Sequence, residues 1–248
     1  MTHSISIAMI GSAFAFSPVW ANQVVYSQPS TANSAEVGLG WYSSSEPRPT
    51  RNFRHADNFT LGHDASISSV RWWGLTEGGS HADLSNFDSF TIEFWTNRTV
   101  PNGNIRPLNL IASTTIALMD VMTSETGRAA PTGALEYMHE AMLADPVALE
   151  SDAIYWISIS ARSIDPNADV WQWQDSNLFD TRSSSFDYAQ NRWVVLKDTD
   201  SAFELIAVPS PGGLGVLGVG PALAQRRRRH LRYALGVTPK CSRNTRVR

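Results

Sequence analysis

Between Asn22 and Ala207 apolar residues come in short runs broken by turn residues, with no internal repeat and no strand–helix alternation of the dinucleotide-binding kind. Residues 88–95 (DSFTIEFW) alternate cleanly, with Phe90, Ile92 and Phe94 on one face and Thr91, Glu93 and Trp95 on the other. A period of two held over six or more residues is the pattern of a half-buried strand. Residues 66–73 (SISSVRWW) run into Gly74, and residues 154–160 put Tyr155, Ile157 and Ile159 on one face and Trp156 on the other. Residues 111–121 are rich in β-formers, and residues 193–196 and 203–207 close the series. Pro101-Asn102-Gly103-Asn104 is turn chemistry. This spacing predicts an all-β fold, an antiparallel two-layer β-sandwich of jelly-roll type. Residues 135–143 fit two periods. Leu135, Met138, His139 and Met142 make a helical stripe, whereas Leu135, Tyr137, His139, Ala141 and Leu143 make a strand face; composition alone favours the helix.

The 248 residues are 42% hydrophobic and 17% charged, enough apolar matter to exclude a disordered chain. The net charge of −3 averages two opposite regions. From Ser210 onward there are eight Arg, one Lys and no acid, so residues 1–209 hold the other 11 bases against all 23 acids. An acidic body thus carries a basic tail. Cys241, in that tail, is the single cysteine, which rules out disulfides, cysteine-based zinc sites and thiol nucleophiles in the body.

Both ends of the chain carry export features. Residues 5–16 (ISIAMIGSAFAF) form an apolar run, followed by Ser17-Pro18-Val19-Trp20-Ala21 and then Asn22. Small residues at Val19 and Ala21 behind a proline suit signal peptidase, so residues 1–21 are expected to be a signal peptide cut between Ala21 and Asn22. At the other end Val208-Pro209-Ser210-Pro211 precedes the uncharged residues 212–225 (GGLGVLGVGPALAQ) and then Arg226, Arg227, Arg228 and Arg229. Fourteen helical residues reach about 21 Å against a hydrocarbon core of about 30 Å. Such a segment holds a chain in a membrane only marginally, and four arginines on its cytoplasmic side stall translocation.

This tripartite tail resembles the PEP-CTERM sorting signal of exported bacterial proteins, in its Val-Pro-x-Pro form, with Ser210 where Glu is the commoner residue. The resemblance implies cleavage near Pro209-Ser210-Pro211 by an exosortase-type transpeptidase after a transient stop in the inner membrane. The product is then released, or attached to the cell surface or its exopolysaccharide matrix. The body is similar to the β-sandwich ectodomain that often precedes such tails, through Ala56-Asp57-Asn58-Phe59-Thr60-Leu61, Val70-Arg71-Trp72-Trp73-Gly74, Asp88-Ser89-Phe90-Thr91-Ile92, Tyr155-Trp156-Ile157-Ser158-Ile159, Trp171-Gln172-Trp173 and Asp200-Ser201-Ala202-Phe203-Glu204-Leu205. In that pattern residues 135–143 are a strand. The expected organisation is a signal peptide (1–21), a sandwich ectodomain (22–207), a sorting segment (208–229) and a basic disordered tail (230–248).

Catalytic patterns are missing from the sequence. There is no Gly-x-Ser-x-Gly elbow and no phosphate loop, His139-Glu140 lacks the second histidine of a zinc-protease helix, and the six histidines show no ligand spacing. The expected role is therefore structural or adhesive, at the surface or in the matrix of a bacterium, with no resident cofactor and no nucleic-acid partner. A carbohydrate-binding module is the alternative. Its stacking residues would come from Trp72, Trp73, Trp171 and Trp173, although Trp171 and Trp173 share a face and one of Trp72 and Trp73 belongs in the core. A glycoside hydrolase, the third reading, needs two carboxylates facing across a cleft. Should an ion bind, it would be Ca²⁺ on the oxygens of Asp165, Asn167 and Asp169 or of Asp198 and Asp200.

Overall fold

The computed structural model describes residues 22–30, 41–43, 53–76, 84–101, 103–130, 132–164, 171–176, 182–197 and 199–208. The signal-peptide residues through Ala21, the candidate ligands Asp165, Asn167, Asp169 and Asp198, and the sorting residues Pro209, Ser210, Pro211 and Arg226 to Arg229 lie outside these. Residues 212–225 and 230–248 do so as well.

Thirteen strands follow one another among the described residues: β1 (Gln23–Gln28), β2 (Trp41–Tyr42), β3 (His55–Thr60), β4 (Ala65–Thr76), β5 (Phe87–Thr99), β6 (Ile105–Ala117), β7 (Met122–Ala129), β8 (Leu135–Leu149), β9 (Ile154–Ser163), β10 (Trp171–Trp173), β11 (Arg182–Asp187), β12 (Arg192–Lys197) and β13 (Phe203–Val208). They form two sheets in which every ladder is antiparallel. The fold is the all-β sandwich that the alternation predicts.

One sheet is organised around β4. Its one flank is covered by β8, which pairs with residues 65–75, and β7 lies outside β8. On the other flank two strands lie end to end: β13 pairs with residues 66–72 and β10 with residues 74–76. Beyond them β1 pairs with β13 and β2 with β10. The second sheet runs in the order β12-β11-β3-β9-β5-β6.

The core lies between the sheets. Phe90, Ile92 and Phe94 of β5, Phe59 of β3 and Ile157 and Ile159 of β9 meet Ile67, Val70 and Trp72 of β4 and Phe203 and Leu205 of β13. Residues 135–143 are strand, the inner part of β8, with His139, Ala141 and Leu143 buried. Pairing with β4 overrides helix propensity here, because it places those three side chains against the core. The register then jumps from Ser69↔Met142 to Ile67↔Val147, and the bulge holds Pro146, which has no N–H to give a ladder.

The outer face of the second sheet has a smaller apolar cluster of its own: Ala56, Ile105, Trp156 and Trp193, with Trp95 and Phe186 packed against it. The edge strands β12 and β6 approach each other around it, so this sheet curls toward closure on its outer side.

Candidate functional site

Trp72, Trp171 and Trp173 are essentially inaccessible, and Trp73 is only 9% exposed. The ring of Trp72 lies 5.1 Å from that of Phe90 and 5.4 Å from that of His139, on which it stacks. Trp171 meets Phe90 edge to face at 5.3 Å, and Trp173 Nε1 donates to the Ala202 carbonyl at 3.0 Å. A sugar ring needs an open aromatic face, so the expectation of glycan stacking on these four tryptophans is corrected. The cause is local. β10 aligns Trp171 and Trp173 opposite Thr76 and Gly74, on the core face shared with Trp72. Trp73 points to the other side of the sheet and is covered there as well.

The polar groups of the interior collect at the end-to-end junction of β10 and β13. Asp57, on the core face of β3, is fully buried. Its Oδ2 accepts the Ser201 N–H at 2.5 Å and the Gln28 side-chain amide at 2.9 Å, and its Oδ1 accepts the Asn58 N–H at 2.8 Å. One carboxylate thus joins β3 of the second sheet to β1 and to the entry of β13 in the first. Gln28 also donates to the Ser201 carbonyl at 3.0 Å.

Asp175 follows β10 and faces Ser201 in an isolated antiparallel bridge. Burial pushes its carboxyl up to about 7, the charge of Asp200 adds to the rise, and a hydrogen bond from Trp41 offsets part of it. Asp200 is fully buried. Trp41 stacks on His55 at 5.5 Å, and burial pushes the His55 imidazole down to about 3, so it is neutral. His139 is likewise driven to about 3 by burial, with its Nδ1 3.0 Å from Thr123 Oγ1. Both histidines serve as core rings. Among the described residues no group of three or more His, Cys, Asp or Glu is placed to hold a metal ion.

Of the sequence-predicted oxygen ligands, Asp200 alone is among the described residues, and its carboxylate neighbour is Asp175, which the spacing did not single out. Asp57 carried a faint signal: it alternates with Phe59 on a strand, where an apolar residue is the norm. Asp175 carried none, because the bridge that positions it joins Asp175 to Ser201, residues far apart along the chain.

On the outer face of the second sheet Arg54 forms an ion pair with Glu93 and lies 6.0 Å over the Trp95 ring. Burial raises the Glu93 carboxyl, and the Arg54 charge opposes that rise. Trp193 meets Trp95 at 5.8 Å and Phe186 at 5.2 Å, and Trp156 Nε1 donates to Asn97 Oδ1 at 3.0 Å. This is a packed aromatic seam closed by a salt bridge. A separate hollow of about 330 Å³ is lined by Asp64, Ala65, Ser66, Ala148, Leu149 and Glu150.

Residues 24–206 match the family model described as "Domain of unknown function (DUF7901)". The match begins at the second residue of β1 and ends within β13, so it coincides with the sandwich. No curated protein and no solved structure matches the chain.

Proposed function

The chain belongs to the DUF7901 family, and from that premise we propose that it is an exported, non-catalytic structural or adhesive protein, processed at a C-terminal sorting signal and held at the cell surface or in the extracellular matrix. The reading is carried by the pairing of β1 with β13. Gln23 lies opposite Ala207, so the first and last strands of the fold are neighbours whose outer ends emerge together. The proposed signal-peptidase cut between Ala21 and Asn22 falls just before β1. The proposed exosortase-type cut at Pro209-Ser210-Pro211 falls just after β13. Both cuts therefore spare every ladder of the sandwich, and a folded body can be delivered intact from a tail that pauses in the inner membrane.

The sequence features that support this reading are the tripartite tail and the apolar N-terminal run. The buried, neutral His55 and His139 support a non-catalytic role, because each is committed to packing. Fractionation of the native host followed by intact-mass measurement tests the proposal. The expected extracellular species begins at Asn22 and lacks Arg226 to Arg229. An extracellular species that keeps those arginines, or a full-length cytoplasmic one, overturns it.

A further inference from the structure

β6 ends the second sheet, so the side of its backbone turned away from β5 faces no paired strand among the described residues. β12 comes near it at Ile105, which shares a cluster with Trp193. From Leu108 onward β6 stands clear. Leu108, Asn109, Leu110 and Ile111 are exposed one after another, and the ladder with β5 passes over Leu108, Asn109 and Ile111. Leu108, Leu110 and Ile111 are each between 40% and 48% exposed. The chain carries no charge between Arg106 and Asp120. Edge strands ordinarily bear charges or bulges, or are very short, which keeps them from pairing with another chain. The other edges follow that rule. β12 begins at Arg192 and ends at Lys197, β7 is broken by a bulge between Glu125 and Ala129, β1 has a bulge within its 6 residues, and β2 has only 2 residues.

The charges at the two ends of β6 are also unmatched. Arg98 lies directly opposite Arg106 at the hairpin end, where like charges repel. Neither arginine forms an ion pair with a described residue, and neither does Asp120, exposed just beyond the other end of β6.

We propose that β6 pairs antiparallel with β6 of a second copy of this chain, joining the two second sheets into one continuous sheet. Antiparallel self-pairing sets the Arg106 end of each strand beside the Asp120 end of the other, so the unmatched charges meet twice about the two-fold axis. Counted residue for residue, Arg106 beside Asp120 puts the axis at Ser113, with Leu110 opposite Ile116 and Ile111 opposite Thr115. The stretch between holds no charge that this pairing would set against its own kind. β12 lacks that freedom, because its own antiparallel pairing would place Arg192 against Lys197. A contact of this symmetry closes on itself, so its product is a dimer and not a fibre. The inference stands apart from the export proposal, since the folded sandwich would pair wherever it resides and whether or not its tail is cut.

Light scattering of the purified full chain during size exclusion, loaded at up to about 100 µM, tests the proposal. The expected species has twice the mass of one chain. Ile111→Lys puts a charge on a side chain that the β5 ladder does not use, and should weaken the dimer about tenfold or more with an unchanged melting temperature. Val194→Lys, on the β12 edge, should leave the dimer intact. Asp120→Lys should weaken it, and Arg106→Glu combined with Asp120→Lys should restore it, which association through apolar contact alone would not do. A wild type that stays monomeric up to about 100 µM overturns the proposal. So does a folded Ile111→Lys that associates as tightly as the wild type, or a double exchange that recovers nothing of what Asp120→Lys loses.

Discussion

The indole of Trp171 rests on Gly74: a Cβ built at the glycine would lie 2.3 Å from Trp171 Nε1 and 2.5 Å from its Cε2. Nothing but a hydrogen at that position lets β10 hold its tryptophan in the core while pairing with β4. Trp171 cannot retreat, because Phe90 and His139 already pack against it. Gly74→Ala should therefore destabilise the protein by about 1–3 kcal/mol through overpacking. Gly62 meets nothing within 4 Å, so Gly62→Ala should stay within about 0.5 kcal/mol of the wild type. Urea unfolding followed by tryptophan fluorescence measures both, and equal midpoints for the two variants would refute the assignment of Gly74.

A second prediction concerns the carboxylate that spans the sandwich. Asp57 is fully buried and accepts three donors, two of them on segments of the opposite sheet. Removing the acceptor strands the Ser201 N–H and one of the two N–H groups of the Gln28 amide, whose other bond goes to the Ser201 carbonyl, where water cannot reach them. Asp57→Ala should lose about 3 kcal/mol or more, the scale of leaving buried hydrogen-bonding groups unpaired. Asp57→Asn keeps one carbonyl oxygen and should lose clearly less. Amide exchange at Ser201 gives a local readout, and its protection should fall most in the alanine variant.

These two sites also mark how far the sequence could be read. Strands with clean alternation, such as the stretch around Phe90, Ile92 and Phe94, announce their inner face, and the structure buries all three. Residues 135–143 carried both periods, and only pairing with β4 decides between them; local propensity points the other way. Period two correctly separates Trp72 from Trp73 onto opposite faces. It says nothing of whether the outer face is covered, which depends on contacts distant in sequence. The junction of β10 and β13 was illegible for the same reason. Asp57, Asp175 and Ser201 are brought together by three separate segments, and no spacing along the chain encodes that meeting.

The last prediction is a pH profile in which opposite effects can be told apart by substitution. His55 and His139 fall from 6.5 to about 3 on folding because burial disfavours their charged forms. The unfolded chain therefore binds more protons than the native one between those limits, and each histidine makes stability fall as pH drops below about 6.5, by about 1.4 kcal/mol per pH unit. Asp175 moves the other way, from 3.8 up to about 7, first through burial and then through Asp200. The native state holds its extra proton between those values, so its contribution is greatest at low pH and is lost as pH rises toward 7. Between about pH 4 and 6.5 one histidine offsets Asp175 and the other leaves a net rise of stability with pH. His139→Asn should flatten that rise, and Asp175→Asn should roughly double it while making the protein more stable than the wild type at pH 8. Urea midpoints taken from pH 4 to 8 check this. A Asp175→Asn profile parallel to the wild type would show that the carboxyl keeps an ordinary affinity for its proton, and that the junction of β10 and β13 tolerates its charge.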